Sequence, residues 1–126
     1  RPGESAPSWP PRCAADRAVV VSTTDASALR DAQRTVSVLR NRIPRIHLVV
    51  NRVQPRLLRR LHTTIDDAMD AAGLPLLGIV PEDPQVMLCA NQGQPLILRA
   101  SRGAAVAYLN IAKRLLGQKA PLMKMR

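Results

Sequence analysis

The sequence predicts an α/β fold, a three-layer α/β/α arrangement built on a mostly parallel sheet. Three observations predict it. Short apolar runs at residues 18–21, 46–50 and 74–80 are too brief for helices and fit strands buried on both faces. Stretches of helical periodicity alternate with them, the pattern of βαβ units. Each run also exits into polar or turn-forming residues: Ser-Thr-Thr-Asp at 22–25, Asn51 and Arg52, and Pro81, Glu82 and Asp83.

Taken in order, residues 1–13 are rich in Pro and Ser and lack periodicity, so they are expected to be a disordered or foreign leader. Order is expected from residue 14, with a first buried strand over 18–21. Leu29, Ala32, Val36, Leu39 and Ile43 recur at spacings of three and four, which predicts an amphipathic helix. Ser27 is its expected N-cap, Arg40 and Arg42 suit its last turn, and Pro44 stops it. The second strand, 46–50, contains His47, expected to be a packed or edge imidazole. A basic connection with Arg56, Arg59, Arg60 and His62 follows. Thr64 to Asp67 resembles a capping box that opens a helix ending at Gly73.

The third strand runs straight into Asp83-Pro84, a helix start in which Asp accepts first-turn N–H groups and Pro sacrifices no bond. That helix should end near residue 90, with a turn over 91–95. Leu96, Ile97 and Leu98 read as a strand or a loop. Ser101 is the expected cap of a final helix whose apolar face is Ala104, Tyr108, Ile111 and Leu115, and residues 118–126 form a short basic tail.

Composition narrows the function classes. Of 126 residues, 46% are hydrophobic and only 2% aromatic, with no Phe. The core must be aliphatic, and modules that stack nucleobases on exposed rings are disfavoured. The net charge of +10 is carried mostly by Arg in the first half. Such a surface attracts nucleic acid, anionic lipid or an acidic partner, or is simply solvated. Cys13 and Cys89 belong to no CxxC or Cys/His cluster and are expected to be free thiols of a reducing, cytoplasmic compartment. No apolar run approaches the ~18–20 residues of a membrane span.

Right-handed crossovers gather the three polar exits along one edge of a parallel sheet, where ligands bind in open α/β folds. Asn51 offers both donor and acceptor, which suits a nucleobase edge. There is no G-x-x-x-x-G-K-[ST], no G-x-G-x-x-G and no catalytic triad spacing, so no catalytic residue is assigned.

In their order and spacing, several stretches resemble the C-terminal half of the ParA/MinD deviant Walker ATPase family, in its septum-placing branch. They are Ala-Asp-Arg-Ala-Val-Val-Val-Ser-Thr-Thr-Asp (15–25), Ser-Ala-Leu-Arg-Asp-Ala-Gln-Arg (27–34) and Val-Val-Asn-Arg-Val (49–53). Leu-Pro-Leu-Leu-Gly-Ile-Val-Pro-Glu-Asp (74–83), Ala-Asn-Gln-Gly-Gln-Pro (90–95) and Ala-Tyr-Leu-Asn-Ile-Ala-Lys-Arg-Leu-Leu-Gly (107–117) complete the set. The resemblance implies a P-loop NTPase-like domain over residues 14–117, with ATP bound across a homodimer. It implies that Asn51 reads adenine and that Arg52, Pro81, Glu82 and Asp83 line the base pocket. Ser27 and Asp31 would lie on the face that meets the partner subunit and a MinC-like division inhibitor.

The family's phosphate loop, which binds ATP with Mg2+, and its switch strand belong upstream of residue 14. The chain is therefore expected to be a fragment that hydrolyses no ATP alone. The family is cytoplasmic and attaches peripherally to the inner membrane, but the tail from Pro121 is too short for the amphipathic anchor. Residues 24 and 25 are Thr-Asp where the family has Pro-Glu, and Gln33 replaces an Asp. Two alternatives stand beside this reading. One is a ParA-type partitioning or flagellar-number relative that contacts nucleic acid through Arg56, Arg59 and Arg60. The other is a non-catalytic interaction module.

Overall fold

The computed structural model describes residues 15–57, 65–66, 69–70 and 73–122. Three parallel strands, β1 (Arg17–Ser22), β2 (Arg45–Val53) and β3 (Leu76–Pro81), form a sheet of order β1-β2-β3. Helix α1 (Ala26–Leu39) crosses from β1 to β2. A single 3-10 turn, Pro55–Leu57, follows β2, and residues 65, 66, 69 and 70 are helical. After β3 come α2 (Pro84–Asn91), α3 (Leu96–Arg99) and α4 (Ala104–Leu115). The leader, Cys13, Arg59, Arg60, His62, Thr64, Asp67 and the last four residues lie outside the described set.

The predicted layers are present. On one face Ala32, Val36, Leu39 and Ile43 of α1 and its exit pack with Val20, Ile46, Leu48, Val50, Ile79 and Ile65. On the other, Ala104 and Ala107 of α4 pack on Val49, Leu77 and Val80. Val50 and Val53 are fully buried in the central strand, as a strand covered on both sides requires.

Several expectations are corrected by packing. β1 is half-buried rather than buried, because α4 packs beneath β3 and leaves Val19 and Val21 open at 40% and 60% exposure. Helix α1 closes at Leu39 rather than running through Arg42, and the N–H groups of Arg42 and Ile43 both return to the Leu39 carbonyl. Leu96, Ile97 and Leu98 are neither strand nor loop but the short helix α3, led by Pro95. Tyr108 faces outward at 40% exposure, and the buried stripe of α4 is Ala104, Ala105, Ala107 and Asn110. The Ile111 side chain of α4 fills the space that a Cβ at Gly78 would need.

At the foot of the sheet, guanidinium groups fasten the end of α4. Arg17 Nη1 donates to the Leu115 carbonyl at 2.6 Å. Arg114 donates to the carbonyls of Leu76 at 3.2 Å and Ala120 at 3.0 Å. Burial, followed by the charges of Arg17, Arg45 and Arg114, holds the His47 imidazole below its usual 6.5. The unfolded chain then binds more protons than the fold between the lowered value and 6.5, so stability rises with pH across that window. Urea midpoints are expected to hold above pH 6.5 and to fall as pH drops below it. His47→Gln should flatten that part of the profile.

Candidate functional site

The three strand exits share one edge because all the strands run parallel. β2 extends beyond its apolar run, through Asn51 and Arg52 to Val53. Its register against β3 moves from Val50↔Ile79 to Val53↔Pro81, so β2 spends one extra residue there, the signature of a bulge. Arg52 occupies that position at φ 57°, the only positive φ among the described non-glycine residues. A left-handed non-glycine residue costs roughly 1–2 kcal/mol, and neighbouring contacts hold it. Arg52 Nη2 lies 3.3 Å from Glu82 Oε1, and the Glu82 N–H donates to the Val53 carbonyl at 2.8 Å. The ion pair is too exposed to add much stability; its consequence is orientation. Half-buried Asn51 and Pro81 therefore sit at a corner whose rim carries Arg52 and Glu82.

Asp83 has a different place in this corner. One carboxylate oxygen accepts from Gln85 N at 3.0 Å, capping α2 as the sequence predicts. The other accepts from Ala104 N at 3.1 Å and caps α4 from 21 residues away. Ser101 is not the cap of α4; Gly103 holds the N-cap position at φ 61° with no side-chain bond of its own. A Cβ at Gly103 would meet Asp83 Oδ2 at 2.5 Å. Asp83 thus fixes the turn to both helices, with neither oxygen left idle.

At the β1 exit, Asp25 rather than Ser27 caps α1, through Oδ2 and Ala28 N at 3.1 Å. The Thr23 hydroxyl, then the Ala28 N–H, hold the Asp25 carboxyl below its usual range. Ser27 lies in the first turn of α1, exposed. Asp31, one turn on, pairs with Arg34 at 3.7 Å with both side chains largely in water. Asn51, Arg52, Pro81, Glu82 and Asp83 form one corner, whereas Ser27 and Asp31 form an outward surface of α1. Periodicity could not show the bulge at Arg52 or the Asp83–Ala104 bond. The positive-φ Gly103 just before the α4 pattern is the nearest sequence signal.

Among the described residues no three His, Cys, Asp or Glu side chains gather as a metal site. Among them, too, no helix is long and apolar enough to cross a membrane. Cys89 is a buried free thiol.

No protein-family model matches the chain. The septum site-determining protein MinD of Bacillus subtilis is 40% identical over 111 residues, covering 86% of this chain and 41% of that protein. Among solved structures, the MinD cell division protein of Aquifex aeolicus superimposes with a TM-score of 0.77 at 29% identity, over 87% of this chain and 48% of that one. The same organism's MinC:MinD complex gives 0.76. MinD of Pyrococcus horikoshii shares the fold, at a TM-score of 0.64, 22% identity and coverage of 79% of this chain and 41% of that one. In sequence and in fold this chain is MinD-like over the region matched, and it spans less than half the length of the MinD proteins it matches.

Proposed function

We propose that the chain supplies the base-binding side of a MinD-like ATP site in division-site placement, together with a face for a MinC-like partner. The observation that carries this is the corner itself. The bulge at Arg52 and the Glu82–Val53 bond hold the end of β2, where Asn51 lies, at the same sheet corner as the turn at Pro81 and Glu82. An amide side chain offers both a donor and an acceptor, which suits the edge of adenine. The solved Pyrococcus horikoshii MinD is complexed with Mg-ADP, and the Aquifex protein has been solved with MinC. On this reading Asn51 contacts the base, Arg52 and Glu82 line it, and Asp83 positions the turn. Mg2+ and the phosphates fall to a part of a MinD protein that this region does not match. The exposed Ser27 and Asp31 belong to the partner-facing surface, including that of a homodimer.

The test is fluorescence competition with adenine and guanine nucleotides. Adenine nucleotides are expected to be preferred, and Asn51→Ala should weaken them roughly tenfold, the usual scale for a lost base-edge contact. The 126-residue chain alone should show no ATP hydrolysis. Equal affinity for guanine, or an unaffected Asn51→Ala variant, would overturn the assignment.

A second reading, a non-catalytic interaction module, is favoured by one feature. β1 is an edge strand with bare Val19 and Val21, beside a groove of about 620 Å³ that runs along α1 past Asp31. Partner binding unchanged by ATP would support that module.

A further inference from the structure

The geometry points to an oxyanion site at the foot of the sheet, formed by Arg17, Arg45, His47 and Arg114, that takes a phosphate-type dianion carried by a small soluble molecule. It lies at the amino ends of the strands, opposite the Asn51 corner, and does not depend on the nucleotide reading.

Three elements place cationic side chains together there. Arg17 and Arg45 are direct neighbours across the β1–β2 ladder, and two residues on His47 is opposite Val19. Like charges facing each other across strands are destabilising. Arg114 reaches the same place from α4, bonded to the Leu76 carbonyl at the start of β3. Among the described residues no carboxylate is paired with Arg17, Arg45 or Arg114.

Two buried nitrogens in this cluster, His47 Nε2 and Arg114 Nε, have no hydrogen-bond partner among the described residues. Unpaired buried polar atoms are costly and uncommon in folded chains. Arg45 is exposed, and with His47, Arg40, Pro44, Gly73 and Pro75 it lines an opening of about 360 Å³, which Arg17 and Arg114 do not line but whose His47 feels their charge. That size suits a small phosphate-bearing molecule. Guanidinium forks match phosphate oxygens with charge-assisted bonds. Burial first, and then the charges of Arg17, Arg45 and Arg114, disfavour imidazolium at His47; a bound dianion would offset the charge part and favour imidazolium as a further donor.

The readout is the His47 imidazole, one of only two in the chain, followed by proton NMR with inorganic phosphate. Sodium chloride at equal ionic strength is the reference. Phosphate is expected to raise the His47 midpoint well beyond what chloride does. Arg45→Gln should not lower the melting temperature, since it relieves a like-charge pair, and should weaken phosphate roughly tenfold, the worth of one charge-assisted contact. Arg30→Gln, which removes an exposed cation from α1, should leave phosphate binding unchanged. The proposal is overturned if chloride moves His47 equally, or if Arg45→Gln binds phosphate as well as the parent chain. It is also overturned if Arg30→Gln abolishes binding, or if only vesicles bearing phosphatidic acid, and not free phosphate, perturb His47.

Discussion

Asp83→Ala is expected to destabilise the chain by about 2–3 kcal/mol, because one substitution removes two helix caps at roughly 1 kcal/mol or more each. The oxygens of Asp83 accept from Gln85 N and Ala104 N, and alanine leaves both first turns without a side-chain acceptor. In thermal melts the loss should be on the order of 10 °C for a domain of this size. Asp83→Asn, which keeps one acceptor, should fall between. The pair with Gly103 makes the explanation specific. Gly103→Ala alone meets Asp83 Oδ2 and also strains a backbone at φ 61°. In the Asp83→Ala background the collision disappears and only the backbone strain remains. The two costs should therefore be less than additive, and full additivity in urea titrations would show that Asp83 does not sit between these helices.

Gly78→Ala is the second large effect. Gly78 lies in the middle of β3, and a Cβ there would fall onto Cγ1 and Cδ1 of Ile111. A glycine in a strand usually weakens it, so its presence here is explained by the close approach of α4. Forcing one methyl into that contact is expected to cost about 1–3 kcal/mol, as overpacking typically does. Ile111→Ala removes both colliding carbons and should itself be destabilising. The double variant should nevertheless be more stable than the sum of the two changes, with coupling of about 1 kcal/mol or more as for residues in direct contact. Independent effects would mean that α4 can slide away from β3 at little cost.

Much of the scaffold was legible because hydrophobic period is a local signal. The β-branched run at 18–21, the three-four spacing from Leu29 to Leu39 and the Asp83-Pro84 start each carry their element in adjacent residues. What could not be read depends on residues far apart in the chain. The outward turn of Tyr108 follows from which stripe of α4 meets the distant strands, Ala104 and Ala107 against Val49, Leu77 and Val80. Leu96, Ile97 and Leu98 suit either period, and only the capping carbonyls of Pro95 and Leu96 make them helical. At the candidate corner the residue types were visible, but the extra residue of β2 at Arg52 was not, since no glycine marks it. The cationic foot was hidden for the same reason: Arg17 and Arg45 become neighbours only once the ladder is in register.

That register also governs how the chain reaches its fold. Arg17 pairs with Arg45 and Leu48 with Leu76, so neither ladder can begin as a hairpin and each must close a loop of nearly thirty residues first. Loop entropy comes before any strand contact offsets it, which makes parallel pairing slow, in the millisecond-to-second range rather than microseconds. Helix α1 forms from local contacts and lies between β1 and β2 in the chain, so it is the natural nucleus for those two strands to condense upon. Until β3 arrives, β2 has an open edge on that side and Val53 and Val80 lack their final cover. The interval before β3 docks is therefore when this chain is most exposed to capture by another strand.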